Sequence, residues 1–416
     1  MTDSAPPSAP AALPAGVRDV LPVEAEELRA VEGSLRQRFA LHGYREVMTP
    51  VIELAAVLER AQEGPAAPAY RLFDDRGRVL TLRPDLTIPA ARLVATRMAE
   101  RTGAVRVFYV ARAFRPPPAG RPRPAEERQA GIEHVGPSGP DADAEVIALL
   151  VDALTAAGLG GVRIGVADVS LTAAVLEALG VGAPAAGRLR GALAARNFVA
   201  WRRGVATLGL GEDEARLLAD LPALRGGVEV LSRVEEAVPQ AAPACARLSR
   251  ALELAAGRDG GADVGVDLGV LRDWPYYSGV VFEAYAPGVS EPVAVGGRYD
   301  GLGARFGTDR AAVGFAIGLE LLHRSLAPRS RPDGPRLGAV VVGGFGPEAD
   351  TARSRRAAGI AVAVASDAPA DAEAIADEDD WRYVVRRDGP GFSVRDRRSG
   401  ERFSCGRPEE VLPSRP

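Results

Sequence analysis

The sequence predicts an α+β protein: a sheet flanked by helices, a helical insertion, and a small α/β unit at the C-terminal end. Three observations carry this reading. Segments of strand character recur on both sides of a long Ala/Leu/Glu/Arg-rich stretch, Ser170 to Arg258, whose composition is helical. Apolar residues at helical spacing accompany those strand segments near the start and again in the middle of the chain. A run rich in proline and arginine, Ala327 to Pro335 (APRSRPDGP), reads as a linker and sets off the last segment. At 416 residues the chain has the length of two or three domains. The expected organisation is a disordered leader over 1–16, a main domain over 17–326 with its helical insertion at 170–258, a linker over 327–335, and a small domain over 336–416.

The elements follow in order. The leader, MTDSAPPSAPAALPAG, is polar and proline-rich and has no apolar core of a signal peptide. Pro22 stands at a first helical position, and Leu28, Val31, Leu35 and Phe39 follow at helical spacing up to Gly43. Tyr44 to Thr49 alternates like a strand and stops at Pro50, which lacks a ladder donor. YRLF and VLTLR, separated by Asp74 to Arg78, read as a hairpin. A helical pattern covers Leu86 to Arg101. The β-rich run AVRVFYVARAF reaches Phe114, and a Pro/Arg loop leads to a second strand, QAGIEHV. Asp141 or Asp143 suits the cap of a helix through Leu154, and GVRIGV reads as a buried strand. After the helical stretch come DVGVDLGVL, YYSGVVFEAYA and EPVAVGGRY as strands, and AAVGFAIGLELLHRSL reads as an apolar helix. The last segment offers GAVVVGG, a short helical stretch, IAVAVA, WRYVVRR and an FSVRDRRSGERFSC hairpin.

Composition excludes several function classes. Formal charge is 51 − 55 = −4 without long like-charge blocks, so no basic field for nucleic acid or an acidic membrane is expected. Every cation is arginine, because the sequence contains no lysine, and this rules out Schiff-base or P-loop lysine chemistry. The richest apolar stretch, Val146 to Val162, is broken by Asp152 and several glycines and falls short of the roughly 18 residues of a membrane span. Cys245 and Cys405 lie far apart with no CxxC pair, so neither a disulfide framework nor a cysteine zinc site is expected, and a reducing, cytoplasmic location follows.

No single motif settles the chemistry. His42, His134 and His323 have no metal-ligand spacing and read as structural, and no metal or cofactor is expected. The acidic run Asp377 to Asp380 reads as a solvated loop, and GGRYDG lacks the GxGxxG spacing and suits a tight turn. Asp85 fits a helix N-cap before LTIPAARL, Tyr277 and Tyr299 fit half-buried strand aromatics, and Glu133 fits a partner for an arginine.

Together the motifs say more. RPDLT at Arg83 to Thr87, AFR ending at Arg115, QAGIEHVG from Gln129, YYSGVVFEAY from Tyr276 and VGGRYDGL from Val295 resemble, in order, the catalytic domain of the class II histidyl-tRNA synthetases. The interval 129 − 115 = 14 also matches that family. The resemblance covers about Val17 to Leu326 and implies an antiparallel class II synthetase-like sheet flanked by helices. It further implies a histidine pocket: Asp85, in place of the family's glutamate, beside the ammonium, with Thr87 adjacent; Gln129 at the amino or carboxylate end; Arg272 facing the carboxylate; and Glu133, Tyr276, Tyr277 and Tyr299 around the ring. Such a zwitterion needs an anion at its ammonium, a cation at its carboxylate and neutral partners at the imidazole.

The departures bear on activity. Where the synthetases end their third motif with GLERL this chain has GLELL, placing Leu321 at a phosphate-binding arginine; Pro117 replaces the acidic residue of FRxE; and Gly279 and Val280 occupy the basic position before VFE. Arg115 alone survives among the phosphate contacts, as a vestige. Each lost contact to developing charge costs about 2–4 kcal/mol, so several abolish adenylation. From Arg336 onward 13 arginines face 14 acidic residues, which gives no basic patch for RNA. A histidine pocket without ATP or tRNA machinery is similar to the regulatory-subunit paralogues of ATP phosphoribosyltransferase, which QAGIEHVG and YYSGVVFEAY favour. That resemblance implies a non-catalytic chain, homodimeric through its first helix and the strand ending at Pro50. The homodimer would be joined in a hetero-oligomer to the short-form ATP phosphoribosyltransferase catalytic subunit. The chain would be required for the first step of histidine biosynthesis and would mediate feedback inhibition by L-histidine. The alternative is an atypical histidyl-tRNA synthetase.

Overall fold

The computed structural model describes residues 13–61, 68–117, 124–256, 263–270, 276–326, 336–342, 352, 356, 361–365, 369–378 and 381–406. The chain divides into two units, Met1–Leu326 and Ala327–Pro416. The expected linker, Arg272 and most of the leader lie outside the described residues, as does part of the Asp377 to Asp380 run.

The first unit is built on a nine-stranded sheet. Its strands, named in chain order, are β1 (Arg45–Glu46), β5 (Val105–Phe114), β6 (Glu126–Gly136), β7 (Arg163–Asp168), β8 (Arg225–Gly226), β9 (Asp263–Asp267), β10 (Val280–Tyr285), β11 (Ala294–Arg298) and β12 (Ala311–Gly318). The spatial order is β1-β5-β6-β12-β11-β10-β7-β9-β8, and every neighbouring pair from β5 to β7 is antiparallel. β1–β5 and β7–β9 are parallel, and β9–β8 at the far edge is antiparallel. β2 (Ile52–Leu54), β3 (Arg71–Phe73) and β4 (Val79–Leu82) form a separate small sheet in which β3 and β4 are the expected hairpin.

Alternation gives the large sheet two faces of different character. Phe108 of β5, Ile132 of β6, Phe315 of β12 and Phe282 of β10 point to the core. There they meet α1 (Pro22–Leu41), whose Leu28, Val31, Leu35 and Phe39 are all buried at the predicted spacing. Phe39 lies 5.6 Å from Phe108 and 5.8 Å from Phe315, ring centre to ring centre, so one side chain fastens the helix to two strands. Burial of such a side chain contributes roughly 1.5–3 kcal/mol. Against the same core lies α4 (Pro140–Ala156), buried on nearly all sides. The opposite face carries Gly131, Glu133, Gly297, Gly314 and Ala316, small residues around one carboxyl, and it forms the floor of the site.

Three expectations are corrected. AAVGFAIGLELLHRSL is not one helix: Ala311–Gly318 is the strand β12, and only Leu319–Ser325 is helical, as α11. β12 is hydrogen-bonded on both edges, to β6 and β11, and its cleft-side positions Gly314, Ala316 and Gly318 are small rather than polar, so it reads as continuous apolar text. Neither Asp141 nor Asp143 caps α4. Gly139, at φ 87°, precedes Pro140, and Asp143 instead takes the buried Arg298 guanidinium at 2.8 and 2.6 Å. The strand expected over Tyr44 to Thr49 is shorter: Arg45 and Glu46 pair with β5, and the Val47 N–H donates to the Phe108 carbonyl at 2.8 Å.

Between β7 and β9 the chain is mainly helical: α5 (Val169–Ala178), α6 (Ala183–Ala194), α7 (Phe198–Ala206), α8 (Glu212–Asp220), α9 (Glu229–Ala237) and α10 (Ala242–Ala256). The two-residue β8 interrupts them and returns to pair with β9. The second unit is a five-stranded sheet, β14-β13-β15-β16-β17, from β13 (Arg336–Val342), β14 (Ala361–Ala365), β15 (Trp381–Asp388), β16 (Gly391–Asp396) and β17 (Arg402–Cys405). β13 is parallel to both its neighbours, and the last three strands are antiparallel. A helix the sequence reading did not anticipate, α12 (Pro369–Glu378), precedes β15.

Candidate functional site

A cleft opens on the small-residue face of the large sheet. Three anchored stretches build it. The first is the turn leading into α3 (Thr87–Arg97). Buried Arg83 donates to the carbonyls of Arg112 (2.8 Å), Thr49 (2.7 Å) and Pro50 (3.2 Å), and Arg115 Nε donates to the Pro84 carbonyl (2.6 Å), so the turn is fixed from both sides. Asp85 between them is 5% exposed. Its Oδ1 accepts the Ile88 N–H at 2.8 Å, the capping role its position suggested, while its Oδ2 is buried without a hydrogen-bond partner. Burial pushes this carboxyl above the ordinary aspartate range, opposed by the Ile88 N–H and the Arg115 charge.

The second stretch is β6, where alternation puts Glu127, Gln129, Gly131 and Glu133 on one face. Gln129 Nε2 donates to Glu127 at 3.2 Å, and both line the cleft. Glu133 lies beneath the lining, 1% exposed, accepting from Tyr109 at 3.3 Å and from Tyr299 at short range. Burial pushes its carboxyl up to about 8, although hydrogen bonds from Tyr299, Thr87 and Tyr109 pull the other way. Tyr109 was not picked out from the sequence; its signal is the cross-strand register that sets it against Gly131.

The third stretch carries the aromatics. Tyr276 stands 5.0 Å from Tyr277 and 5.8 Å from Tyr299, ring centre to ring centre. Glycines make the room. A Cβ on Gly297 would lie 2.8 Å from the Tyr277 ring, one on Gly314 2.0 Å from Glu133 Oε2, and one on Gly131 2.5 Å from the Tyr109 hydroxyl. The GGRYDG segment, expected to be a tight turn, is strand β11 through Arg298 and turns only from Tyr299 onward, with Asp300 Oδ1 accepting the Ala312 N–H at 3.0 Å.

The structure thus brings Asp85, Thr87, Arg115, Gln129, Tyr276, Tyr277 and Tyr299 around one cleft, with Glu133 directly behind; Arg272 is outside the described residues. The cleft also holds residues the sequence reading passed over. Its described charged lining consists of Asp85, Glu127, Glu291 and Glu320 against Arg115 and Arg324, and Leu321 sits on the wall beside them. Glu320 is tied down by accepting the Arg128 N–H at 3.0 Å. Four carboxylates against two guanidiniums make a poor reception for a triphosphate and a good one for an ammonium. Among the described residues no group of His, Cys, Asp and Glu could hold a metal ion, and no helix is long and apolar enough to cross a membrane. His42 and His323 contact carboxylates, Asp152 at 2.8 Å and Glu27 at 2.7 Å.

Comparison with known proteins agrees with this architecture. The histidyl-tRNA synthetase family model matches residues 16–322. An ATP phosphoribosyltransferase regulatory subunit of Moorella thermoacetica is 40% identical over 318 residues, 75% of this chain and 81% of that one. One of Symbiobacterium thermophilum is 41% identical over 359 residues, covering 85% and 90%. A solved Bacillus halodurans structure, described as an ATP phosphoribosyltransferase regulatory subunit/histidyl-tRNA synthetase, superposes with a TM-score of 0.82 at 29% identity, covering 91% of this chain and 98% of that one. The chain belongs to the family of ATP phosphoribosyltransferase regulatory subunits, built on the histidyl-tRNA synthetase fold.

Proposed function

We propose that this regulatory subunit performs no chemistry itself and that its cleft is a receptor for free L-histidine, the signal by which a short-form catalytic partner is inhibited. The observation that carries this is Asp85: a buried carboxylate held by its cap, with one oxygen unpartnered at a cleft that also offers Gln129 and three tyrosines. An ammonium supplies the missing partner. The imidazole then meets Tyr277 and Tyr299, the latter already hydrogen-bonded to Glu133. The carboxylate lies toward Arg115, which lines the same cleft. Glu127, Glu291 and Glu320, with Leu321 in place of a phosphate-binding arginine, disfavour ATP beside it.

Inhibition follows if histidine binds one conformation of the assembled complex better than another, and a difference of about 1–3 kcal/mol changes the partner's behaviour by roughly 5–150-fold. Homodimerisation is supported by a cluster of exposed apolar side chains on the small sheet and the segment leading to it. Ile52, Leu54 and Leu72 share one face of the small sheet and are exposed, and Met48 (83%) and Phe73 (74%) are exposed as well. Two titrations test the reading. Calorimetry of the full chain gives saturable heat with L-histidine, and the isolated chain with ATP and histidine gives no pyrophosphate exchange. Measurable exchange instead identifies an atypical synthetase, and absence of histidine heat removes the receptor.

A further inference from the structure

A second cleft lies on the other flank of the large sheet, where β7, β9 and β8 meet, and it encloses about 440 Å³ against about 140 Å³ for the first. Its floor is backbone. Gly165 and Gly265 are paired across β7 and β9, and neither has room for a side chain: a Cβ would lie 2.9 Å from Asp267 Cβ at the first and 2.8 Å from the Gly226 carbonyl at the second. Three guanidiniums from three elements surround this floor: Arg163 of β7, Arg225 of β8, and Arg196 from the turn between α6 and α7. Arg196 has φ 53°, the single non-glycine residue in the left-handed region among those described. This conformation sends its guanidinium onto buried Glu283 and the Tyr285 hydroxyl (2.7 Å), with Tyr285 donating to Glu283 at 2.5 Å. That trio is a fixed inner wall.

The outer pair is different. Arg163 meets Asp263 at 3.3 Å with both side chains exposed, 68% and 73%, whereas Arg225, 57% exposed, meets at 2.9 Å the more buried Asp267, whose side chain is 18% exposed and whose Oδ1 also accepts the Gly269 N–H at 3.0 Å. Exposed ion pairs of this kind are weak, and a phosphate bound in bidentate fashion by guanidiniums is a stronger partner. Once displaced, Asp263 and the Oδ2 oxygen of Asp267 are acceptors suited to hydroxyl groups, while Asp267 Oδ1 stays on the Gly269 N–H. Arginines 163, 196 and 225 are balanced by Asp263, Asp267 and Glu283, so a bare anion gains little from the cleft as a whole. A ligand carrying both a phosphate and hydroxyls satisfies both halves. We propose that this cleft is a second ligand site, separate from the first, for a phosphorylated polyol of the sugar-phosphate class.

The test is calorimetry of the full chain with ribose 5-phosphate, ribose and inorganic phosphate as probes, repeated on the double variant Arg163→Ala, Arg225→Ala. Both side chains are exposed, so the variant keeps its fold, which is checked by its unfolding midpoint. Ribose 5-phosphate should bind saturably, at least about tenfold tighter than either ribose or inorganic phosphate, and should weaken by at least about tenfold in the variant. No saturable binding by about 10 mM, equal affinity for inorganic phosphate, or unchanged affinity in the folded variant each overturns the proposal.

Discussion

Replacing Asp85 with asparagine separates binding from folding. The carboxylate does two things in the free protein: Oδ1 accepts the Ile88 N–H at 2.8 Å, and Oδ2 is buried with no partner. Asparagine keeps an oxygen for the Ile88 bond and removes a charge that burial already disfavours. Because the carboxyl is raised above its ordinary value, its charged form is the one the fold penalises, and that penalty grows as pH rises through the raised value. At neutral pH the variant should therefore be no less stable than the parent. Binding moves the other way: a charge-assisted hydrogen bond to an ammonium contributes about 1.5–3 kcal/mol, so the histidine dissociation constant should rise roughly 10- to 150-fold. Asp85→Ala should lose the same affinity and, with the cap gone, about 1 kcal/mol of stability as well. Calorimetry with L-histidine and thermal unfolding read the two quantities independently. Histidine affinity within about twofold of the parent in a folded Asp85→Asn chain would refute the reasoning.

Three further outcomes follow from the same geometry. Glu133, with its carboxyl pushed up to about 8, holds a proton in the folded state that the unfolded chain releases near the ordinary glutamate value. Between those two values stability should fall as pH rises, by up to about 1.4 kcal/mol per pH unit, and Glu133→Gln should flatten this slope in denaturant melts. Gly314→Ala drives a Cβ to 2.0 Å from Glu133 Oε2 and 2.3 Å from the Ile132 carbonyl. It should cost about 1–3 kcal/mol in melts and weaken histidine binding, whereas alanine at exposed, open Gly187 should do neither. Breaking the buried Arg298–Asp143 pair with Arg298→Ala leaves a carboxylate stranded on α4 and should lower stability by about 3–5 kcal/mol, measured as a shift in unfolding midpoint.

What the sequence disclosed follows the physics of its signals. α1 and the β3–β4 hairpin were legible because one face of each pattern is apolar and the ends carry proline or a glycine turn. β12 was not, because its cleft-side residues Gly314, Ala316 and Gly318 are small rather than polar, so the polar half of the alternation is missing and the run resembles a buried helix. Asp85 and Tyr299 are 299 − 85 = 214 positions apart, and only the ordered motifs connected them before the structure placed both at one cleft. Glu127 carried no motif, and Glu320 stood inside GLELL without being picked out. Their presence at the cleft depends on strand register and on α11 starting at Leu319, neither of which a one-dimensional pattern specifies. Asp85 accepts the Ile88 N–H on Oδ1 and leaves Oδ2 unpartnered, so the proposed ligand contact falls on a different oxygen from the helix-end bond.

The most direct measurement is phosphoribosyl transfer by the short-form catalytic subunit, assayed with and without this chain and titrated with L-histidine. A histidine-sensing regulatory subunit gives transfer that depends on its addition, with inhibition over the same concentrations that saturate the cleft in calorimetry. Transfer that is equally fast without the chain, or inhibition whose midpoint is unmoved by Asp85→Asn, contradicts it.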